Sequence, residues 1–425
     1  MRQHPSVHRP AHWLAAPGSI LLLAALLWVI AVPVQARPGN QFASGFEPVG
    51  QTPPQDNQAP AELPAKQIED DLARGDSGAA RRLVPELLAQ PRLNSETMLR
   101  IGSKLAEHDL DLEASRVFER CVHDFPQLFE AYYDLAFTDL ALGRYSEALG
   151  VLANAPRASC QDEIAITYLR GKIEVALGKN ADAERDLSAA FRAGPRQENY
   201  ALDLGLLYIR TQQYRKGLAV FKQASGLNKD SPFLQLGLAL AQFLAGLNAE
   251  SVETCRAALA LHPDFSPARV MMAFALYMQG KTAAAERTAV QGLRDPNPFP
   301  YLYYIHAVSL IKLQSRDYDV MLKDLNTALG AMPQCSLCYV AMSRVYERRG
   351  ERKIAIVDLE KAVGLDQNLA DAWYRLAALY SQVGQPDAAL QARQRFEKLK
   401  ENKTDRETEI LRDVFSNSLG AGSRE

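Results

Sequence analysis

The chain has 425 residues, 47% hydrophobic and 23% charged, with 48 Lys and Arg against 50 Asp and Glu and a formal net charge of −2. That balance, with no long acidic or basic block, argues against an electrostatic nucleic-acid footprint, which needs a basic patch or a high pI. Length alone predicts two or three compact domains, but a tandem array would void that count, because each of its units packs only on its neighbours.

Taken from the N-terminus, Arg2 and Arg9 lead into an apolar run from Ser19 to Val32, and Val34, Gln35 and Ala36 offer a small-x-small cleavage site. Residues 1–36 are therefore expected to be a signal peptide. The run is short for a membrane span, which takes about 20 residues; an uncleaved anchor is the alternative, and it would be the sole membrane attachment. Either way the chain is expected to be exported, to a periplasm or beyond. Residues 37–60 are rich in Pro, Gly, Gln and Asn and poor in aliphatics, too poor to offset the entropy of ordering, and read as a disordered leader. Residues 61–94 read as a degenerate helical hairpin, with Gly75 at its turn and Pro85 inside its second helix.

From Ser95 the chain falls into a period. The small residue in the middle of each first helix is Gly102, Ala136, Gly171, Gly205, Ala239, Ala273, Ser309, Ser343 and Ala377, in steps of 34, 35, 34, 34, 34, 36, 34 and 34 residues. A second small column, early in each second helix, runs Ala80, Ala114, Ala148, Ala183, Gly217, Ser251, Ala285, Met321, Ala355 and Ala389. A third runs Cys121, Ala155, Ala190, Ala224, Ala258, Gly292, Ala328 and Ala362, then Phe396. Gly143, Gly178, Gly246, Gly280, Gly350 and Gly384 keep the same phase at the turns. Three columns in register predict tandem antiparallel helical hairpins over residues 95–398. The three prolines between Asp295 and Pro300 predict an extended connection with a local kink, and Met321 predicts a hairpin whose helices stand slightly apart. Residues 399–425 read as a capping helix and flexible tail: Thr404 and Glu407 have capping-box spacing, and Ile410, Leu411, Val414 and Phe415 form an apolar face.

Residues 370–396 carry Trp373, Leu376, Ala377 and Tyr380 at helical spacing, Gly384 at the break, and Ala389 and Phe396 on the second run. They resemble a tetratricopeptide repeat, a helix-turn-helix unit of about 34 residues. The resemblance implies an all-α, right-handed solenoid of tandem hairpins.

The search for chemistry finds little. The histidines are His4, His8, His12, His108, His123, His262 and His306, with no H-E-x-x-H, G-x-S-x-G or P-loop pattern. Neighbouring carboxylates such as Glu69, Asp70 and Asp71 radiate from a helix rather than converge. The chain reads as a non-enzyme with no cofactor and no metal. Cys335 and Cys338 form one C-x-x-C at a helix start, without a preceding strand or a second C-x-x-C. In an oxidising compartment a local disulfide is the expectation, ahead of reduced packing cysteines and of a redox or metal role.

In the tetratricopeptide family the first helices line a concave groove that commonly binds peptides, so the resemblance implies a protein or peptide ligand there. The expected groove residues are Tyr133, Phe137, Tyr168, Leu202, Leu206, Leu236, Leu240, Phe243, Phe274, Tyr277, His306, Leu310, Arg344 and Arg348. Between Leu202 and Leu313 these columns are almost wholly apolar, which predicts an apolar binding strip unless the side chains pack on the next repeat. Arg344, Glu347 and Arg348 are the polar exception. The leading reading is an exported non-catalytic scaffold for envelope assembly or secretion. The alternatives are a periplasmic helper of polysaccharide export, with Tyr133, Tyr168 and Tyr374 stacking on sugars, and a thiol redox protein through Cys335 and Cys338.

Overall fold

The computed structural model describes residues 62–400, apart from Arg92 and Pro296. The signal peptide, the leader and the segment from 401, with most of the capping helix, lie outside the described residues. The described chain divides into two compact units, residues 62–211 and 212–400. Both are built from α-helices alone, in an all-α helical repeat.

The first unit holds α1 (Glu62–Ala73), α2 (Ser77–Leu88), α3 (Ser95–Glu107), α4 (Asp111–Asp124), α5 (Phe129–Ala141), α6 (Tyr145–Asn154), α7 (Cys160–Ala176), α8 (Asn180–Ala193) and α9 (Glu198–Arg210). The second holds α10 (Tyr214–Leu227), α11 (Pro232–Leu244), α12 (Asn248–Leu261), α13 (Ser266–Met278), α14 (Thr282–Gly292), α15 (Tyr301–Lys312), α16 (Tyr318–Ala331), α17 (Ser336–Arg349), α18 (Arg352–Leu365), α19 (Ala370–Gln382) and α20 (Pro386–Lys400). Odd-numbered helices are the first of each repeat and even-numbered ones the second. Within each unit a first helix packs on its own second helix, on the flanking second helix and on the next first helix.

The small columns are where the helices close. Ala136, Ala239, Ala273, Ser309 and Ser343 of the first helices are fully buried, as are Ala114, Ala148, Ala183, Ser251, Ala285, Met321 and Ala355 of the second. Bulky neighbours fill the space that the small residues leave. Phe118, Ile101, Leu105 and Met98 are almost wholly covered in one cluster of the first unit, and Leu359, Ala372 and Leu376 in one of the second. Burial of each such large side chain contributes about 1.5–3 kcal/mol.

The hairpin turns need a left-handed residue to reverse the chain. Seven glycines supply it, with φ between +74° and +81°, at no steric cost. In three hairpins the same turn is made without glycine, by Asp109, Gln212 and Gln314, at φ of 58°, 60° and 56°. Helix starts are fixed by side chains in several places. Asn94 accepts from Thr97 N, and Ser159 and Asp162 complete a reciprocal capping box on α7.

Candidate functional site

The expected apolar strip is interior. Leu202, Leu236, Leu240 and Phe274 are 0–1% exposed and Phe243 is 7% exposed. The rings of Phe243 and Phe274 meet edge to face, 5.4 Å apart, between α11 and α13. These side chains, expected to face a groove, are covered by the packing of neighbouring helices. They hold neighbouring helices together, and of the expected strip Leu313 is the exposed end, at 45%. Leu206 and Leu310 are half-buried.

In the first unit, the remaining expected residues join a polar cluster on α5, α7 and α9. The Tyr168 hydroxyl donates to Asp203, whose carboxylate also pairs with the Lys172 ammonium at 3.3 Å. That ammonium lies 5.7 Å from the Phe137 ring centroid and 5.4 Å from that of Tyr168, close enough for cation–π attraction. The Tyr168 and Tyr200 rings are 4.4 Å apart. Burial, with Asp203 beside it, raises the Tyr168 phenol well above its ordinary value. Burial also raises Tyr133, with Tyr200, Asp134 and Asp203 adding to the effect. The Asp134 carboxyl is pushed up to about 7 by desolvation and by Glu130. Tyr168 is therefore committed inward and has no free face for a sugar, while Phe137, 39% exposed, is the ring that reaches solvent. Lys172 stands in an expected groove-facing column, one residue after Gly171, whereas Asp203, which ties it to Tyr168, is in none of those columns.

His306 is not part of a groove surface either. Its Nδ1 is 2.5 Å from Asp324 Oδ2 and its Nε2 is 3.8 Å from Glu286, so it ties α15 to α16 and to the preceding hairpin.

The second unit carries a cleft of about 560 Å³ on the first helices α13, α15, α17 and α19. Its lining is Tyr277, Val308, Ile311, Lys312, Arg344, Glu347, Arg348 and Arg375. Arg375 pairs with Glu347 at 3.2 Å and with Asp371 at 3.0 Å, and Arg344 with Asp371 at 2.9 Å. Burial opposes the charge on Asp371, yet Arg344 and Arg375 hold its carboxyl below the usual range. Burial likewise opposes the Arg344 charge, and Asp371 overcomes it to raise the guanidinium further. Four cations against two carboxylates leave an excess of positive charge. The exposed Arg348 has no partner among the described residues, Arg344 Nε is buried without one, and Lys312 sits 4.2 Å over the Tyr277 ring centroid. The polar exception in the sequence, Arg344, Glu347 and Arg348, is thus brought together with Tyr277, Lys312 and Arg375. Lys312 and Arg375 escaped notice because they stand between the positions sampled, and long cationic side chains reach sideways to the cleft.

Cys335 and Cys338 are joined by a disulfide, with Cα atoms 5.3 Å apart, at the start of α17. Cys121 and Cys255 are buried and Cys160 is exposed. Burial pushes the Cys121 thiol up to about 11, with Asp134 and Asp124 adding, and raises that of Cys255 further. Among the described residues, no group of three or more His, Cys, Asp or Glu is gathered as a metal site.

A tetratricopeptide repeat family model matches residues 168–224 and 202–264. The chain is 29% identical over 117 residues to the Superkiller complex protein 3 of Mus musculus, a match that covers 28% of this chain and 8% of that protein. It is 20% identical over 328 residues to the BBSome complex member BBS4 homolog of Drosophila melanogaster, covering 66% of this chain and 67% of that one. Among solved structures, a tetratricopeptide repeat protein from Parabacteroides merdae is similar at a TM-score of 0.45 and 18% identity, over 59% of this chain and 98% of the other. Its repeat period, its helical hairpins and the segment matched by the family model identify the chain as a tetratricopeptide repeat protein.

Proposed function

We propose that the protein is an exported, non-catalytic scaffold that holds a partner polypeptide on the first-helix face of its second unit, in assembly or secretion at a cell envelope. The tetratricopeptide fold suggests protein–protein interaction. The observation that carries the reading is the cleft, which draws its lining from the first helices of four successive hairpins and holds Arg348 exposed and unpaired among the described residues. Export is supported by the basic start, apolar run and small-x-small site of residues 1–36. Among the described residues, no helix is long and apolar enough to cross a membrane.

The test is site-specific photo-crosslinking of the full chain in its own cells, with the reactive residue at position 348 in the cleft or at position 261, where Leu261 is 55% exposed on the second helix α12. The expected adduct is a polypeptide at 348 and none at 261. A glycan adduct at 348, or adducts at 261 alone, would contradict the reading. Recovery in the cytoplasm with residues 1–36 intact would contradict export.

A further inference from the structure

We propose that the Cys335–Cys338 disulfide is a redox-sensitive clasp on the first turn of α17, opened by a dithiol that attacks at Cys335. The proposal does not depend on what the cleft binds. Cys335 and Cys338 stand eight and five residues before Ser343 of the small column. In α11 the first of these positions is the N-cap Ser231, whose hydroxyl accepts from Leu234 N at 3.1 Å. In α17 the Cys335 sulfur takes that place and accepts from Cys338 N at 3.1 Å. Sulfur is a weak acceptor, so the covalent bond, more than the hydrogen bond, secures this cap. The second position is core in every one of these helices. Ala131, Ile166, Leu234, Ala268 and Ala372 are buried there, and Cys338 is 0% exposed.

Two features make this bond exchangeable and not only a staple. Its sequence separation is 3, and a cross-link constrains the unfolded chain less the shorter the loop it closes. It is also open from one side. Cys335 is half-buried while Cys338 is wholly covered, so an incoming thiolate reaches Cys335 Sγ alone. That thiolate bonds to Cys335 Sγ, the Cys335–Cys338 bond breaks, and its electron pair leaves on Cys338 Sγ. The leaving sulfur sits in the first turn of α17, where N–H groups without intrahelical partners favour a thiolate. The second thiolate of the reductant then attacks the reductant's own sulfur in the mixed disulfide and releases Cys335. The two thiol protons of the reductant end on Cys335 and Cys338, two electrons pass to the protein, and the reductant departs as a disulfide. With the clasp open, the first turn of α17 is held by a thiol cap alone. This helix supplies Arg344, Glu347 and Arg348 to the cleft.

Cys121, Cys160 and Cys255 are free, so a reductant changes no other cross-link in the chain. The experiment is amide hydrogen exchange on the full chain in oxidised and in reduced dithiothreitol, without denaturant. Reduction should speed exchange over residues 338–342 by about tenfold and leave residues 234–238 of α11 unchanged. A thioredoxin whose resolving cysteine is replaced by serine should be trapped on Cys335. The Cys335→Ser, Cys338→Ala double variant keeps an oxygen at the N-cap and a small residue in the core, and should exchange at one rate in both buffers. A bond that survives dithiothreitol until urea unfolds the chain would overturn the proposal. So would equal exchange in the two redox states, a trapped adduct on Cys338 or none at all, or exchange in the double variant that still follows dithiothreitol.

Discussion

A Cβ placed on Gly102 of α3 would stand 2.5 Å from Cε1 of Phe118 on α4, so the bare backbone at 102 is what lets this hairpin close. Phe118 is 1% exposed and cannot swing away into solvent. Overpacking of this kind costs about 1–3 kcal/mol, more than the roughly 1 kcal/mol that alanine gains over glycine inside a helix. Gly150, exposed in α6, meets nothing within 4 Å. Gly102→Ala should therefore lower the midpoint of urea unfolding, and Gly150→Ala should raise it. Equal shifts of one sign would show that packing at Phe118 does not govern this hairpin.

The three turns made without glycine predict a gain. Gln314 is exposed at φ 56°, a conformation that costs a residue with a Cβ about 1–2 kcal/mol. Glycine relieves that cost but loses more entropy on folding, so Gln314→Gly should stabilise by about 0.5–1 kcal/mol. Gln314→Ala should give no gain, because alanine keeps the Cβ. Thermal melts of the two variants separate the backbone effect from the loss of the side chain.

Asp186, Asp324 and Asp358 stand at one register position, three residues after the second-helix small column. Arg170 answers the first and His306 the second. In the third hairpin, Val340 and Met342 occupy the positions of His306 and Arg170, and Asp358 Oδ2 is buried with no hydrogen-bond partner. Desolvation pushes its carboxyl up to about 6, with Lys361 only partly opposing. Between about pH 4 and 6 the folded state binds more protons than the unfolded one, so stability falls as pH rises through that window. Asp358→Asn should add about 1–3 kcal/mol at pH 7.5 and almost nothing at pH 4. The same gain at both pH values would place the cause elsewhere.

How much of this was legible in the sequence depends on the physics of each feature. The hairpin register was legible, because a close helix crossing excludes a large side chain and so writes Gly102, Ala136 and Ala239 into the sequence at a fixed period. The turns at Asp109, Gln212 and Gln314 were not, because a left-handed residue without glycine carries no compositional mark. Period put Phe243 and Phe274 in columns expected to line a groove. It could not tell whether the next repeat covers them, because coverage depends on the separation of neighbouring first helices. The cleft was legible only at Arg344, Glu347 and Arg348, since Lys312 and Arg375 reach it from other positions.

The five cysteines give a count that tests the local environments. Only Cys160 is both free and exposed, so a thiol reagent should label one site in the native protein. Unfolding without reductant should release Cys121 and Cys255 as well, and Cys335 and Cys338 should appear only after reduction. Label at Cys335 in the native, unreduced protein would contradict the disulfide.

The central claim is that partner binding resides in the charged cleft and not in apolar first-helix surface. The direct measurement is calorimetric affinity for the polypeptide captured at position 348, at about 0.05 M and about 0.5 M salt. It compares wild type, the Lys312→Gln, Arg348→Gln double variant, and Phe137→Ala, which removes the exposed ring of the first unit. Exposed charge interactions fade as the screening length falls from about 10 Å at 0.1 M salt toward 3 Å at 1 M. The account predicts a loss of at least tenfold in the double variant and in high salt, and none in Phe137→Ala. Affinity that ignores salt and the double variant but falls in Phe137→Ala would contradict it and move the site to residues 62–211.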